Sequence, residues 1–350
     1  SGSVTVPVSV IVSAPPPLAA SPGQVSFTFR QGEAPPGAQQ ITVNSGGVPQ
    51  NFTVSINTGT SGNWLVAAPL AGVTPAVVTL QVTAAGMSPG TYQGSVRITP
   101  ASGEVIFVVV TLAVGQPAPS LIAVVNAASF LSGGVAGGEI VTLFGSFLGP
   151  SQAAGPRLTA SGMIDSVTAE CRVLFDGAPA PMLYASAGQV TAIAPFSLAG
   201  RFRTRVEVEF QGRRSNPFDL GVLEAALGIF ADVAGNAAAV NEDGSINTAG
   251  TPAPPGTVLS FYATGGGIMN PSPADGEIVG ETLPLLVNPL VAEIDGAGAE
   301  VLYAGGAPGL PAGALQINLR IPEGSRPGAL AVVLRIAGSR SQPGVVIWVK

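Results

Sequence analysis

The punctuation of this chain limits its fold more than any other feature. Short runs of valine, threonine, isoleucine and leucine are cut by glycine, proline and serine about every ten to fifteen residues, the rhythm of a β-sandwich. With 47 glycines and 32 prolines, helix has only a marginal place. Between residues 18 and 116 the runs QVSFTFR (24–30), QQITVNS (39–45), FTVSINT (52–58), VVTLQVT (77–83), GTYQGSVRIT (90–99) and VIFVVVTLAV (105–114) predict strands. The expected fold class is all-β, a tandem of immunoglobulin-like β-sandwiches.

At 350 residues and 46% apolar content the chain has room for two to three domains with real cores. Only 10% of residues are charged, so much of the surface is neutral or is buried between subunits. The longest apolar run, Val105 to Val114, is about half of what a membrane span needs, and no membrane span is expected. Residues 1–117 carry two acids and two arginines, residues 118–222 seven of each, and residues 223–350 eleven acids against five bases. The net charge of −6 therefore sits in the last third, which argues against nucleic acid as a partner. The polar Ser1-Gly2 start fits a secreted chain whose signal peptide has been removed, so an extracellular or cell-surface location is expected.

The absence of histidine removes Ser-His-Asp and Cys-His catalysis and His-ligated zinc. The sole lysine is Lys350, which argues against Schiff-base chemistry and internal Lys-Asn cross-links. Cys171, the single cysteine, excludes an internal disulfide and reads as a buried thiol in a strand. No cofactor and no catalytic residue are expected, and an enzyme is the least favoured class.

Four segments are expected: an orphan strand and Pro-rich linker (1–17), a first sandwich (18–116) and two copies of a second unit (117–222 and 223–350). The copies are visible as GEIVTLFG (138–145) against GTVLSFYA (256–263), FDGAPAPMLYASA (175–187) against IDGAGAEVLYAGG (294–306), QVTAIAP (189–195) against QINLRIP (316–322), and QGRRS (211–215) against AGSRS (337–341). The order of pieces in the first sandwich, with Trp64 in SGNWLVAAP and the GTYQGSVRI run at 90–98, resembles the BACON family of immunoglobulin-like modules. That resemblance implies a secreted or surface context, and carbohydrate binding has been proposed for such modules. The stretches AVVNAASFLSGGVAGGEIVTLFGSFLGP and AAAVNEDGSINTAGTPAPPGTVLSFYATGGG resemble the uncharacterised C-terminal domain family of Solibacter-type acidobacterial surface proteins. The GGEIVTLFG opening is also similar to IPT/TIG folds. These resemblances imply an extracellular, multi-domain context and no known activity.

Several motifs invite a chemical reading. NEDGSIN (241–247) sets Asn241, Asp243 and Asn247 around a glycine, either a weak calcium site or an Asx-type hairpin turn. The Asp-Gly pairs at 176–177 and 295–296 read as hairpin turns with positive φ at the glycine rather than as catalytic carboxylates. TGGGIMN (264–270) lacks the Lys and Ser/Thr of a phosphate loop and reads as a bulge or corner. RFRTRVEVEFQGRR (201–214) alternates charged residues with Phe202, Val206, Val208 and Phe210, predicting a half-exposed strand with cross-strand ion pairs or an interaction stripe for an acidic partner. Trp64 is either a core plug or a sugar-stacking platform. Tyr184 and Tyr303, at equivalent repeat positions, are expected in the cores.

The amino terminus carries the sharpest hypothesis. In SGSVTVPVSVIVSAPPPL, Val8, Val10 and Val12 align with Val110, Leu112 and Val114, and Pro15 and Pro17 with Pro117 and Pro119. It reads as a final strand without a domain of its own. An unpaired apolar strand tends to find a sheet edge. Val4, Val6, Val8, Val10 and Val12 are therefore the expected assembly strand, donated to a neighbouring copy in a homo-oligomer, filament or surface array. The alternatives are a spacer or stalk of a larger surface protein, and an adhesion module for a surface glycan.

Overall fold

A computed structural model describes Val4, residues 6–9 and residues 16–350 of the chain. Among these residues are 29 strands and one 3-10 turn, Phe196–Leu198, and no helix long and apolar enough to cross a membrane. Two compact units separate at Pro117 and Ala118.

The first unit contains β1 (Ala19–Ser21), β2 (Gln24–Arg30), β3 (Gln39–Asn44), β4 (Asn51–Asn57), β5 (Leu65–Ala68), β6 (Ala71–Val73), β7 (Ala76–Val82), β8 (Gly90–Pro100) and β9 (Ile106–Gly115). They form two sheets, β1-β3-β7-β5 and β2-β9-β8-β4-β6. All pairings are antiparallel except that of β2 with β9. The leading strand thus changes sheet between Ser21 and Gln24, the arrangement of an immunoglobulin-like sandwich. Strict alternation produces it: in QVSFTFR, Val25, Phe27 and Phe29 are buried and the residues between them exposed. Each such side chain contributes about 1.5–3 kcal/mol by leaving water. The Val-rich run is one strand with two faces, Val108, Val110, Leu112 and Val114 inward and Phe107 and Val109 outward.

The second unit holds two similar halves. The first comprises β10 (Ser120–Asn126), β11 (Ile140–Ser146), β12 (Cys171–Phe175), β13 (Ala178–Ala180), β14 (Met182–Ala185), β15 (Gln189–Ile193), β16 (Arg203–Phe210), β17 (Arg213–Arg214) and β18 (Phe218–Gly221). Its sheets run β10-β11-β15-β14 and β13-β12-β16-β17, with β18 also on β16. The second half comprises β19 (Gly228–Ile229), β20 (Ala239–Asn241), β21 (Val258–Thr264), β22 (Met269–Asn270), β23 (Leu285–Leu286), β24 (Val291–Ile294), β25 (Ala297–Gly306), β26 (Leu315–Arg320), β27 (Gly328–Ile336), β28 (Ser339–Arg340) and β29 (Val346–Val349). Here β25 runs through both layers, pairing β24 with its first residues and β26 with its last. In the first half the same path is divided into β13 and β14 at Pro181, which has no N–H to give a ladder.

The internal repeat is reproduced in local geometry. Asp176-Gly177 and Asp295-Gly296 turn β12 into β13 and β24 into β25, with φ of 52° and 85° in one and 52° and 82° in the other. Positive φ at both residues, not at the glycine alone, makes these type I′ hairpins. The Ser215 and Ser341 hydroxyls each accept the backbone N–H of the residue seven positions back, Val208 and Leu334. Tyr184 and Tyr303 each follow a register shift, at Met182/Tyr184 and Val301/Tyr303. Both are partly buried, not core residues as expected, and each lies where the irregular register breaks the in–out alternation of its strand.

Candidate functional site

The expected assembly strand is described at Val4, Val6 and Val8, whereas Val10 and Val12 lie outside the described residues. Val4, Val6 and Val8 are 88%, 73% and 82% exposed and belong to no strand. Among the described residues, Pro16 is the first with a side-chain hydrogen bond to the rest of the unit, its carbonyl accepting the Gln50 side-chain amide at 2.5 Å, and Leu18 is the first in the core.

Trp64 is no platform for a sugar. Its side chain is 2% exposed and lies within the core of the first unit. The glycine in GTYQGSV explains how it fits: a Cβ at Gly94 would meet the Trp64 ring at 3.1 Å. Both ring faces are occupied by protein, so the expected glycan contact is corrected to a packing role. The exposed aromatic on this unit is Phe107, directly opposite Arg97 on β8, with Ser55 on the far side of Arg97. The outward face of this sheet is dense in hydroxyl and amide side chains, including Thr53, Gln93, Ser95, Thr99 and Thr111.

Of the two readings of residues 241–247, the hydrogen bonds are those of the Asx-type turn. Asn241 gives its amide to Ser245 Oγ and the Thr251 carbonyl, and its oxygen accepts from Asn247 at 2.9 Å. Asn247 in turn accepts the Trp348 N–H and donates to the Trp348 carbonyl. Asp243 accepts the Ser245 hydroxyl and N–H, which hold its carboxyl below the ordinary carboxylate range. The three side chains stitch the loop to β29 and to itself. Among the described residues, no group of three or more Cys, Asp or Glu side chains is placed to hold a metal ion.

The charged stretch at 201–214 forms the expected ion pairs: Arg172 with Glu209 at 2.8 Å, Arg205 with Asp219 at 3.0 Å and Arg201 with Asp176 at 3.1 Å. Val206, Val208 and Phe210 face the core, but Phe202, ahead of β16, is 91% exposed. The chain reaches its sheet only at Arg203, so alternation does not bind Phe202. Cys171 is buried, and loss of solvent pushes its thiol up to about 12.

Sequence reasoning missed the seam between the two halves of the second unit. Glu139, just before β11, is 1% exposed. Its Oε1 accepts Asn126 Nδ2 at 2.9 Å and its Oε2 accepts the Ala136 N–H at 2.8 Å. Burial pushes the carboxyl up to about 8, against the two hydrogen bonds, so it is mainly protonated at neutral pH. Asn126 Nδ2 also reaches the Ala226 carbonyl, and Thr264 Oγ1 accepts the Ile140 N–H while donating to the Gly313 carbonyl. Ile140 and Ile193 pack with Ala307 and Ala314 across the same seam. The three glycines of TGGGIMN lie where it closes: a Cβ at Gly265 or Gly267 would collide with the carbonyl of Ala226 or Glu224. Only the GGEI motif hinted at this, and an acid at the start of a strand does not announce its own burial.

No protein-family model matches the sequence, and no curated protein matches it. Solved structures with similarity include a Bacteroides ovatus GH5 xyloglucanase in complex with a XXXG heptasaccharide, at 15% identity and TM-score 0.25, covering 43% of this chain and 30% of that one. A second is the Bacteroides ovatus mixed-linkage glucan utilization locus SGBP-B in complex with a mixed-linkage heptasaccharide, at 11% identity and TM-score 0.30, covering 95% of this chain and 70% of that one. A third is FdeC, an Escherichia coli adhesin, at 15% identity and TM-score 0.22, covering 97% of this chain and all of that one. The chain thus spans under a third of the length of the xyloglucanase it resembles.

Proposed function

We propose that this chain is an extracellular structural subunit of adhesion type, joined to neighbouring copies by addition of its amino-terminal strand to a sheet edge. The carrying observation is the exposure of Val4, Val6 and Val8, which alternate as a strand does and pair with no strand among the described residues. Burying them on a neighbour would release about 1.5–3 kcal/mol for each valine, before the cost of ordering the segment. The resemblance to BACON modules and to acidobacterial surface domains belongs to the same reading, as does the low charge of the first unit. Removing residues 1–13 and following assembly by light scattering tests it. The truncated protein is expected to remain monomeric, and assembly equal to that of the intact chain overturns the reading.

A second reading, glycan adhesion, rests on the hydroxyl- and amide-rich sheet face around Phe107 and Arg97. Glycan-array binding lost in Phe107→Ala, with unfolding unchanged, would favour it over strand addition.

A further inference from the structure

We infer that the acceptor for the amino-terminal strand is the β6 edge of the first unit, and that the occupant is the Val4–Val8 segment of a second copy. This inference rests on the strand-addition reading above and names the site it leaves open.

The edge offers backbone groups in a defined pattern. Thr74 N–H reaches the Gln50 carbonyl and Val54 N–H reaches the Leu70 carbonyl, which fixes the alternation of the β4–β6 ladder. Gly72 therefore faces Phe52, and the N–H and C=O groups of Ala71 and Val73 point away from the sheet. None of these four groups has a hydrogen-bond partner among the described residues. With only three residues, β6 leaves a short free edge.

Across β6, β4 and the end of β8 lies a cavity of about 480 Å³ whose apolar lining, with Ala71, Val73 and Ala101, is interrupted by Asn51, Thr53 and Thr99. Its walls carry no charged side chain, and the first charged residue of the chain is Arg30. An uncharged apolar strand and an uncharged, mainly apolar groove match in kind, and neither leaves a charge to be desolvated.

Proline supplies a stricter test of fit. Pro7 lacks an N–H, so in a strand it must occupy a position that points away from the partner. The groups bonded to Ala71 and Val73 must then come from an adjacent two of the three valines of opposite parity, Val4, Val6 and Val8. This parity satisfies the edge and turns the missing donor of Pro7 outward, where it discourages addition of a further strand.

Disulfide trapping tests the site directly, since Cys171 is buried and leaves a quiet background. Copies carrying Val6→Cys are mixed with copies carrying Val73→Cys or, as a control on an edge strand of the other sheet, Val66→Cys. Both acceptor positions are about half exposed, so neither change threatens the fold. The expected result is a mixed disulfide dimer at Val73 formed at least tenfold faster than at Val66. Equal or faster trapping at Val66 overturns the β6 site while leaving strand addition standing. Trapping at neither position, together with unchanged assembly on removal of residues 1–13, overturns both. A chain carrying Val6→Cys and Val73→Cys together that closes only within itself overturns the second copy as occupant.

Discussion

The side-chain amide of Asn126 donates to Glu139 Oε1 at 2.9 Å and to the Ala226 carbonyl at 2.8 Å, so one nitrogen ties a buried acid in the first half of the second unit to the backbone of the second. Burial pushes the Glu139 carboxyl up to about 8, which favours the neutral acid at this tie.

A pH dependence follows from that acid. Above its ordinary value of 4.5 the unfolded chain releases the proton, whereas the folded chain holds it up to about 8. Stability is therefore full below pH 4.5, falls as pH rises through this window, by at most about 1.4 kcal/mol per pH unit, and levels off beyond it. Glu139→Gln is expected to remove that slope in denaturant melts. It also lowers stability at pH 5 by about 1–3 kcal/mol, because the amide cannot accept from both Asn126 and Ala136.

In the first unit, Trp64→Ala is expected to cost about 3–5 kcal/mol through the cavity it leaves. Gly94→Ala is expected to cost about 1–3 kcal/mol by overpacking against the same ring. Thermal melts of both variants check the packing role, and an unchanged melting temperature in Trp64→Ala would contradict it.

Calcium and chelator are both expected to leave melting of the intact chain unchanged, since Asn241 Oδ1, Asp243 Oδ1 and Asn247 Oδ1 each accept a protein donor. Asn247→Ala, by contrast, is expected to cost about 1–3 kcal/mol, as it strips the Trp348 N–H of its acceptor and leaves the Trp348 carbonyl with the Ala253 N–H alone. Calcium titration followed by calorimetry reads the first claim and denaturant unfolding the second.

Moving the proline by one position separates strand parity from composition. Pro7→Val is expected to assemble as well as the parent or better. The double change Val6→Pro with Pro7→Val places the missing donor among the bonded positions and is expected to weaken assembly at least tenfold in sedimentation.

Much of the fold was legible because burial in a strand leaves a period of two, as in Val25, Phe27 and Phe29. The long strands of the first unit fall within a residue or two of the predicted runs. The short ones, β1, β5 and β6, were not legible, since prolines at 22, 69 and 75 break the runs that contain them. The repeat was visible in the Asp-Gly and Ser pairs, whose turn chemistry is local. The seam at Glu139 was hidden because its burial depends on residues about a hundred positions away, Ala226 among them. Trp64 and the 241–247 loop were open to two readings because a side chain's solvent face is decided by neighbours distant in sequence, here Gly94 and Trp348.

Backbone hydrogen exchange at residues 4–9, followed as protein concentration is raised, tests strand addition most directly. Fast exchange at Val4, Val6 and Val8 in dilute solution, giving way to protection at high concentration, is the predicted result. Exchange that stays fast at every concentration at which the protein assembles would contradict it.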